Sequence, residues 1–179
     1  MDLVDRLVEH DLWLTERILR AAGELTDPVL DASVQGECAG LEVVAQPSIR
    51  RLLEVMVLTK EVWGAGMTGD AVALDARPSG LDQILARWSI AAARFRAAVE
   101  DVARRDAWDQ TFIRTTWDVP ETFTNGQAVA HTLTFSACRT ALALRLLQAR
   151  GVVLDLGSGD PLGGDMGPGT DTSGGRGTA

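Results

Sequence analysis

The chain has 179 residues, 46% of them hydrophobic, which suits one domain around one core. Its net charge of −8 excludes a broad phosphate-binding surface, so nucleic acid is not an expected partner. Mean hydropathy is +0.05, and no apolar run reaches the roughly 18 to 20 residues of a membrane span, so no membrane partner is expected.

The amino-terminal stretch MDLVDRLVEHD is acidic and amphipathic. It lacks the basic start and apolar block of a signal peptide, which predicts a cytoplasmic protein. Residues 2 to about 25 predict a first helix with a seam of Leu3, Leu7, His10, Leu14, Ala21 and Leu25, and with Val4, Ile18 and Ala22 beside it. His10 falls on the apolar side, away from Asp5, Glu9, Glu16 and Arg20. Thr26-Asp27-Pro28 ends the helix.

Residues 31 to 47 keep no helical period, and Gly36, Gly40 and Pro47 break them into a loop with room for one helical turn. Cys38 lies there without an assigned role. Ser48 caps a second helix through about residue 65. Its core face is Ile49, Leu52, Leu53, Met56 and Val57, extended by Trp63, with Glu54 and Val55 near the edge. A connector rich in Gly, Asp and Ala follows over residues 66 to 78. Ser79-Gly80 starts a third helix, 81 to about 103, in which Leu81, Ile84, Leu85, Trp88, Ala92, Phe95, Val99 and Val102 keep the period.

Residues 107 to 123, AWDQTFIRTTWDVPETF, predict an extended strap that packs its aromatics over the helices, with short β-pairing at most. Thr124 or Asn125 then opens a long fourth helix that closes at Gly151. Its inward stripe reads Ala128, His131, Phe135, Cys138, Leu142, Leu146 and Ala149. Beyond it Val152, Val153 and Leu154 can still pack, and Leu156 and Leu162 are further candidates. The Gly-rich residues 163 to 179 bury too little to offset their ordering entropy and predict a disordered tail. GSGDPLGGD, at 157 to 165, has no GK[ST] and no following helix, so it is not a phosphate loop.

Four helices with one apolar stripe each predict an all-α four-helix bundle with long connections and a short extended strap before the last helix. Two cysteines without CxxC spacing predict free thiols. Of the 17 basic residues only Lys60 is lysine, a bias that points to a GC-rich genome and not to a site.

Three stretches carry a family resemblance: LVEHDLWLTERILRAAGELTDPVLD, SIRRLLEVMVLTKEVW and FTNGQAVAHTLTFSACRTALALRLLQARGV. In order and spacing they resemble the DinB superfamily of four-helix bundles, many of which bind a divalent metal. Gly159-Asp160-Pro161 resembles a closing signature of the same family. The likeness spans about residues 1 to 162 and leaves out the 163–179 tail.

The resemblance implies a metal site with one His from the second helix and two from the fourth. This chain departs from it, with Val55 at the second-helix position and Cys138, before Arg139, at one fourth-helix position. The remaining position reads Thr134 or His131 according to the alignment. The candidate metal residues are therefore His131, Cys138 and His10, for zinc or nickel, with Glu54 or Glu61 as further donors. The other reading of the same residues is a small buried thiol and a hydrogen-bonded core histidine. Arg139 can pair with a carboxylate or reach an anionic ligand. A Cys138 nucleophile activated by His131 is disfavoured, because seven residues of helix set them about 10 Å apart.

Two functions follow from the resemblance. One is a metal-dependent transferase or isomerase using a low-molecular-weight thiol such as bacillithiol or mycothiol. The other is a metal-free, non-catalytic bundle that binds a small ligand or acts as a dimeric interaction protein. The resemblance also implies a homodimer.

Overall fold

The computed structural model describes residues 3–34, 47–72, 80–115 and 119–156. Cys38, Trp117, Leu162, the Gly159-Asp160-Pro161 signature and the 163–179 tail lie outside them. The order of elements is α1 (Leu3–Ala21), a 3-10 turn (Ala22–Glu24), α2 (Asp27–Asp31), α3 (Ile49–Thr68), α4 (Leu81–Arg104), β1 (Thr111–Arg114), β2 (Glu121–Thr124) and α5 (Asn125–Gln148). Four long helices pack together, as the stripe pattern predicts, and a two-stranded hairpin precedes the last of them. None of the described helices is long and apolar enough to cross a membrane.

Local chemistry sets the helix ends. The Ser48 hydroxyl accepts from the Arg51 N–H and opens α3. Thr124 and Gln127 form a reciprocal capping box at the start of α5. Gly69, with φ of +76°, closes α3 in the left-handed conformation that favours glycine. The helix thus runs a turn beyond the expected end near residue 65. The region around Asp27-Pro28, expected only to stop the first helix, forms its own short turn of helix, α2, with Pro28 in its first turn.

In the bundle, α1 and α3 each pack against α4 and α5. This places α1 diagonally across from α3. The core between them is built from Val8, Leu12, Ile18, Leu19, Leu53, Met56, Val57, Ile84, Trp88, Phe95, Ala128, Ala143, Leu146 and Leu147. Two seams are rotated from their expected positions. In α1 the buried residues are Val8, Leu12, Thr15, Ile18 and Leu19, while Leu3 and Leu7 are exposed. In α5 Thr132, Ser136 and Thr140 are buried, while His131, Phe135, Cys138 and Ala149 are exposed.

In α5 the physical reason is local hydrogen bonding, whereas Thr15 of α1 is buried with no partner for its hydroxyl among the described residues. Small hydroxyl side chains can be buried when their polar atoms are satisfied locally. Thr132 Oγ1 donates to the Ala128 carbonyl at 2.8 Å, and Ser136 Oγ accepts from a buried lysine. On the neighbouring stripe His131 packs on Trp63 of α3, while Phe135 and Cys138 are exposed.

The hairpin packs with β1 against α3 and β2 against α5. β1 and β2 pair antiparallel with Phe112 opposite Phe123 and Arg114 opposite Glu121. The strap is therefore a short β-ribbon. It lies flush on α3 because Gly66 has no side chain: a Cβ there would fall 2.5 Å from the Phe112 ring. After α5, Val152 is buried and Leu154 partly so, while Val153 and Leu156 face solvent.

Candidate functional site

The most buried charge in the described chain is the one lysine. Lys60 is 1% exposed and stands on the apolar stripe of α3, between Val57 and Trp63. Its Nζ lies 2.5 Å from Asp11 Oδ2 on α1, across the diagonal of the bundle. It also donates to Ser136 Oγ on α5 at 3.1 Å and sits 5.4 Å from the Phe95 ring centroid on α4. All four long helices thus meet at one ammonium group. Asp11 is its single carboxylate partner among the described residues. Asp11 Oδ2 is fully buried and approaches the ammonium outside hydrogen-bonding geometry. The compensation is incomplete: burial lowers the Lys60 pKa, Asp11 opposes that, and the nearby Arg139 charge lowers it further.

Arg139 forms the outer half of the same cationic site. Its Nη1 donates to Thr59 Oγ1 at 2.9 Å, and that hydroxyl donates to the Val55 carbonyl at 2.7 Å. The guanidinium therefore links α5 to α3. Its other contact is the Phe135 ring, whose centroid lies 5.5 Å from Cζ. Among the described residues it has no carboxylate partner. Burial lowers its pKa from the ordinary value, with Cys138 acting weakly the other way, yet a guanidinium stays protonated in a protein.

An aromatic cluster continues from Arg139 through Phe135. The His131 ring stacks on Phe135 with centroids 4.3 Å apart and packs 4.9 Å from Trp63. Trp63, itself buried, meets Phe123 edge-on at 4.9 Å and Phe112 at 6.4 Å. Arg114, paired with Glu121, lies 5.0 Å from both the Trp63 and Phe123 rings. His131 keeps an exposed edge, but its partial burial lowers its pKa, and the Arg139 and Arg114 charges add to the effect. It is therefore mostly neutral at pH 7.

The three residues expected to hold a metal are placed as follows. His131 is in the aromatic cluster, and Cys138 is an exposed free thiol on α5. His10 is half-buried on α1, with its ring 5.7 Å from Trp13. Among the described residues no three His, Cys, Asp or Glu side chains are grouped so as to hold a metal ion. Glu54 pairs with Arg51, and Glu61 with Arg87. Around His131 the charged neighbours are arginines, which repel a divalent cation. This donor set does not fit zinc or nickel.

Sequence reasoning missed Lys60 and Asp11. The signal was present: positions 53, 56, 57, 60, 63 and 64 form one continuous buried face of α3, and a lysine stands in the middle of it. No family model matches the chain, and no curated protein or solved structure is significantly similar to it.

Proposed function

We propose that the chain is a DinB-like helical bundle that works without a metal, in the cytoplasm, by binding a small anionic ligand at Arg139, where α5 meets α3. The observation that carries this reading is Arg139: a largely buried guanidinium, without a carboxylate partner among the described residues, beside a buried lysine. A protein of net charge −8 that holds a guanidinium without a carboxylate partner among the described residues gains a local attraction for an anion despite its overall field. The resemblance assigns a cation to the region of Val55 and Cys138. Here the guanidinium of Arg139, tied through Thr59 to Val55, supplies positive charge in that region. Its fork offers paired N–H donors that suit a carboxylate or phosphate oxygen pair.

Titration calorimetry on the metal-stripped full chain with a panel of carboxylates and inorganic phosphate tests this. Binding of at least one anion is expected, weakened about tenfold or more in Arg139→Gln, in line with a charge-assisted hydrogen bond of about 1.5–3 kcal/mol. An anion affinity that appears only after zinc or nickel is restored, or that survives Arg139→Gln unchanged, sinks the reading.

A further inference from the structure

We infer that the anion is an aromatic carboxylate, held with its ring against Phe135 and its carboxylate on Arg139. This inference rests on the anion-binding reading above and names the ligand class. His131, Phe135 and Arg139 stand at successive i, i+4 positions on the outer side of α5. They therefore form a row with a step of about 6 Å along the axis. The row ends in a guanidinium and begins in two stacked rings.

Three features make the row a recognition surface and not a patch of core. Phe135 is 43% exposed, so part of its ring is open to a ligand. The row is rigid: Trp63 backs His131, and the hairpin phenylalanines back Trp63. Arg139 is held in place by Thr59 before any ligand arrives.

The chemistry of the row selects the ligand. A flat ring can extend the His131–Phe135 stack in an offset arrangement. The neutral His131 ring brings no second charge to that end, so the anionic group belongs at Arg139. One ring joined to one carboxylate matches one turn of spacing between Phe135 and Arg139. A phosphate without a ring satisfies only the Arg139 end, and an aliphatic carboxylate leaves Phe135 uncovered.

Calorimetry with 2-naphthoate, benzoate, cyclohexanecarboxylate and benzamide on the full chain tests the inference. The two aromatic carboxylates are expected to bind best. Cyclohexanecarboxylate should be roughly three- to tenfold weaker, the worth of an aromatic contact. Benzamide should bind at least tenfold more weakly than benzoate. Phe135→Leu, at an exposed position that the fold does not need, should remove the preference for aromatic over alicyclic acids while leaving weak carboxylate binding. Arg139→Lys keeps the charge without the fork and serves where Arg139→Gln fails to fold. Equal affinity for benzoate and cyclohexanecarboxylate, both lost in Arg139→Gln, overturns the aromatic assignment and leaves the anion site standing. No Arg139-dependent binding of any acid overturns both.

Discussion

Helix α3 carries two buried cations ten positions apart, Arg50 and Lys60, and the fold treats them in opposite ways. Arg50 is 8% exposed and answers to two carboxylates of α2. Its Nε donates to Asp31 at 2.6 Å and its Nη2 to Asp27 at 2.5 Å. Hydrogen bonding to Asp31 is the largest cause of a pKa raised above the ordinary value, and Asp31 is lowered in return. Lys60 has one carboxylate, reached across the bundle, and its pKa is lowered because desolvation outweighs that pairing. The first cation is a clamp that ties the short α2 turn to the bundle. The second is a charge the fold holds at a cost, at the centre of the bundle. The difference shows why burial alone says little about a charged residue, and why the number of counter-charges says more.

The comparison can be broken by removing one carboxylate from each cation. Asp11→Leu leaves Lys60 buried without a counter-charge and should cost about 3–5 kcal/mol in urea unfolding. Asp31→Asn leaves Arg50 with Asp27, and both acids are largely exposed, so the cost should stay within about 1.5 kcal/mol. Equal losses would mean that the two sites are not different in kind.

A smaller effect, of the opposite sign, sharpens the contrast. Replacing both partners at the centre, Lys60→Met with Asp11→Leu, removes two desolvated charges together. Unfolding should then show stability unchanged or raised by about 1–4 kcal/mol. The Arg50→Met change should still destabilise, because α2 loses its only charge-assisted tie to α3 among the described residues. A double variant as unstable as Asp11→Leu alone would show that the central charges are structurally required.

The smallest effect is a pH dependence. A lysine whose folded pKa lies below its ordinary value of 10.5 binds fewer protons folded than unfolded between those two values. Stability therefore rises with pH across that window, and below it the penalty is constant. The chain suits this measurement because it has no tyrosine and no second lysine. The wild-type Tm should climb relative to Lys60→Met as pH is raised toward 10. Parallel curves for the two proteins would remove the case for an undercompensated lysine.

Much of the architecture was legible in the residues. The periods of α3 and α4, the Ser48 and Thr124 caps and the aromatic strap each rest on local rules that act within a few residues. Rotation about a helix axis does not. On α5 the row His131, Phe135, Cys138 looks more apolar than Thr132, Ser136, Thr140, yet the second row is buried. A hydroxyl that bonds its own helix or a neighbour's ammonium is cheap to bury, and that partner is invisible in one dimension. The same blindness hid Lys60, since a lysine in an apolar stripe reads as an exception until Asp11, Ser136 and Phe95 are seen converging on it from three other helices.

The sequence by itself determined that this chain makes four amphipathic helices and a strap, because hydrophobic period, caps and breakers are properties of short segments. Only the tertiary structure decided which stripe faces the centre, that Lys60 closes the diagonal between α3 and α1, and that Arg139 reaches Thr59 of α3 beside the His131–Phe135 stack. Those outcomes depend on long-range pairing of charges and rings. The energy of such pairing exists only once residues far apart in the chain are brought within a few ångströms in a dry interior.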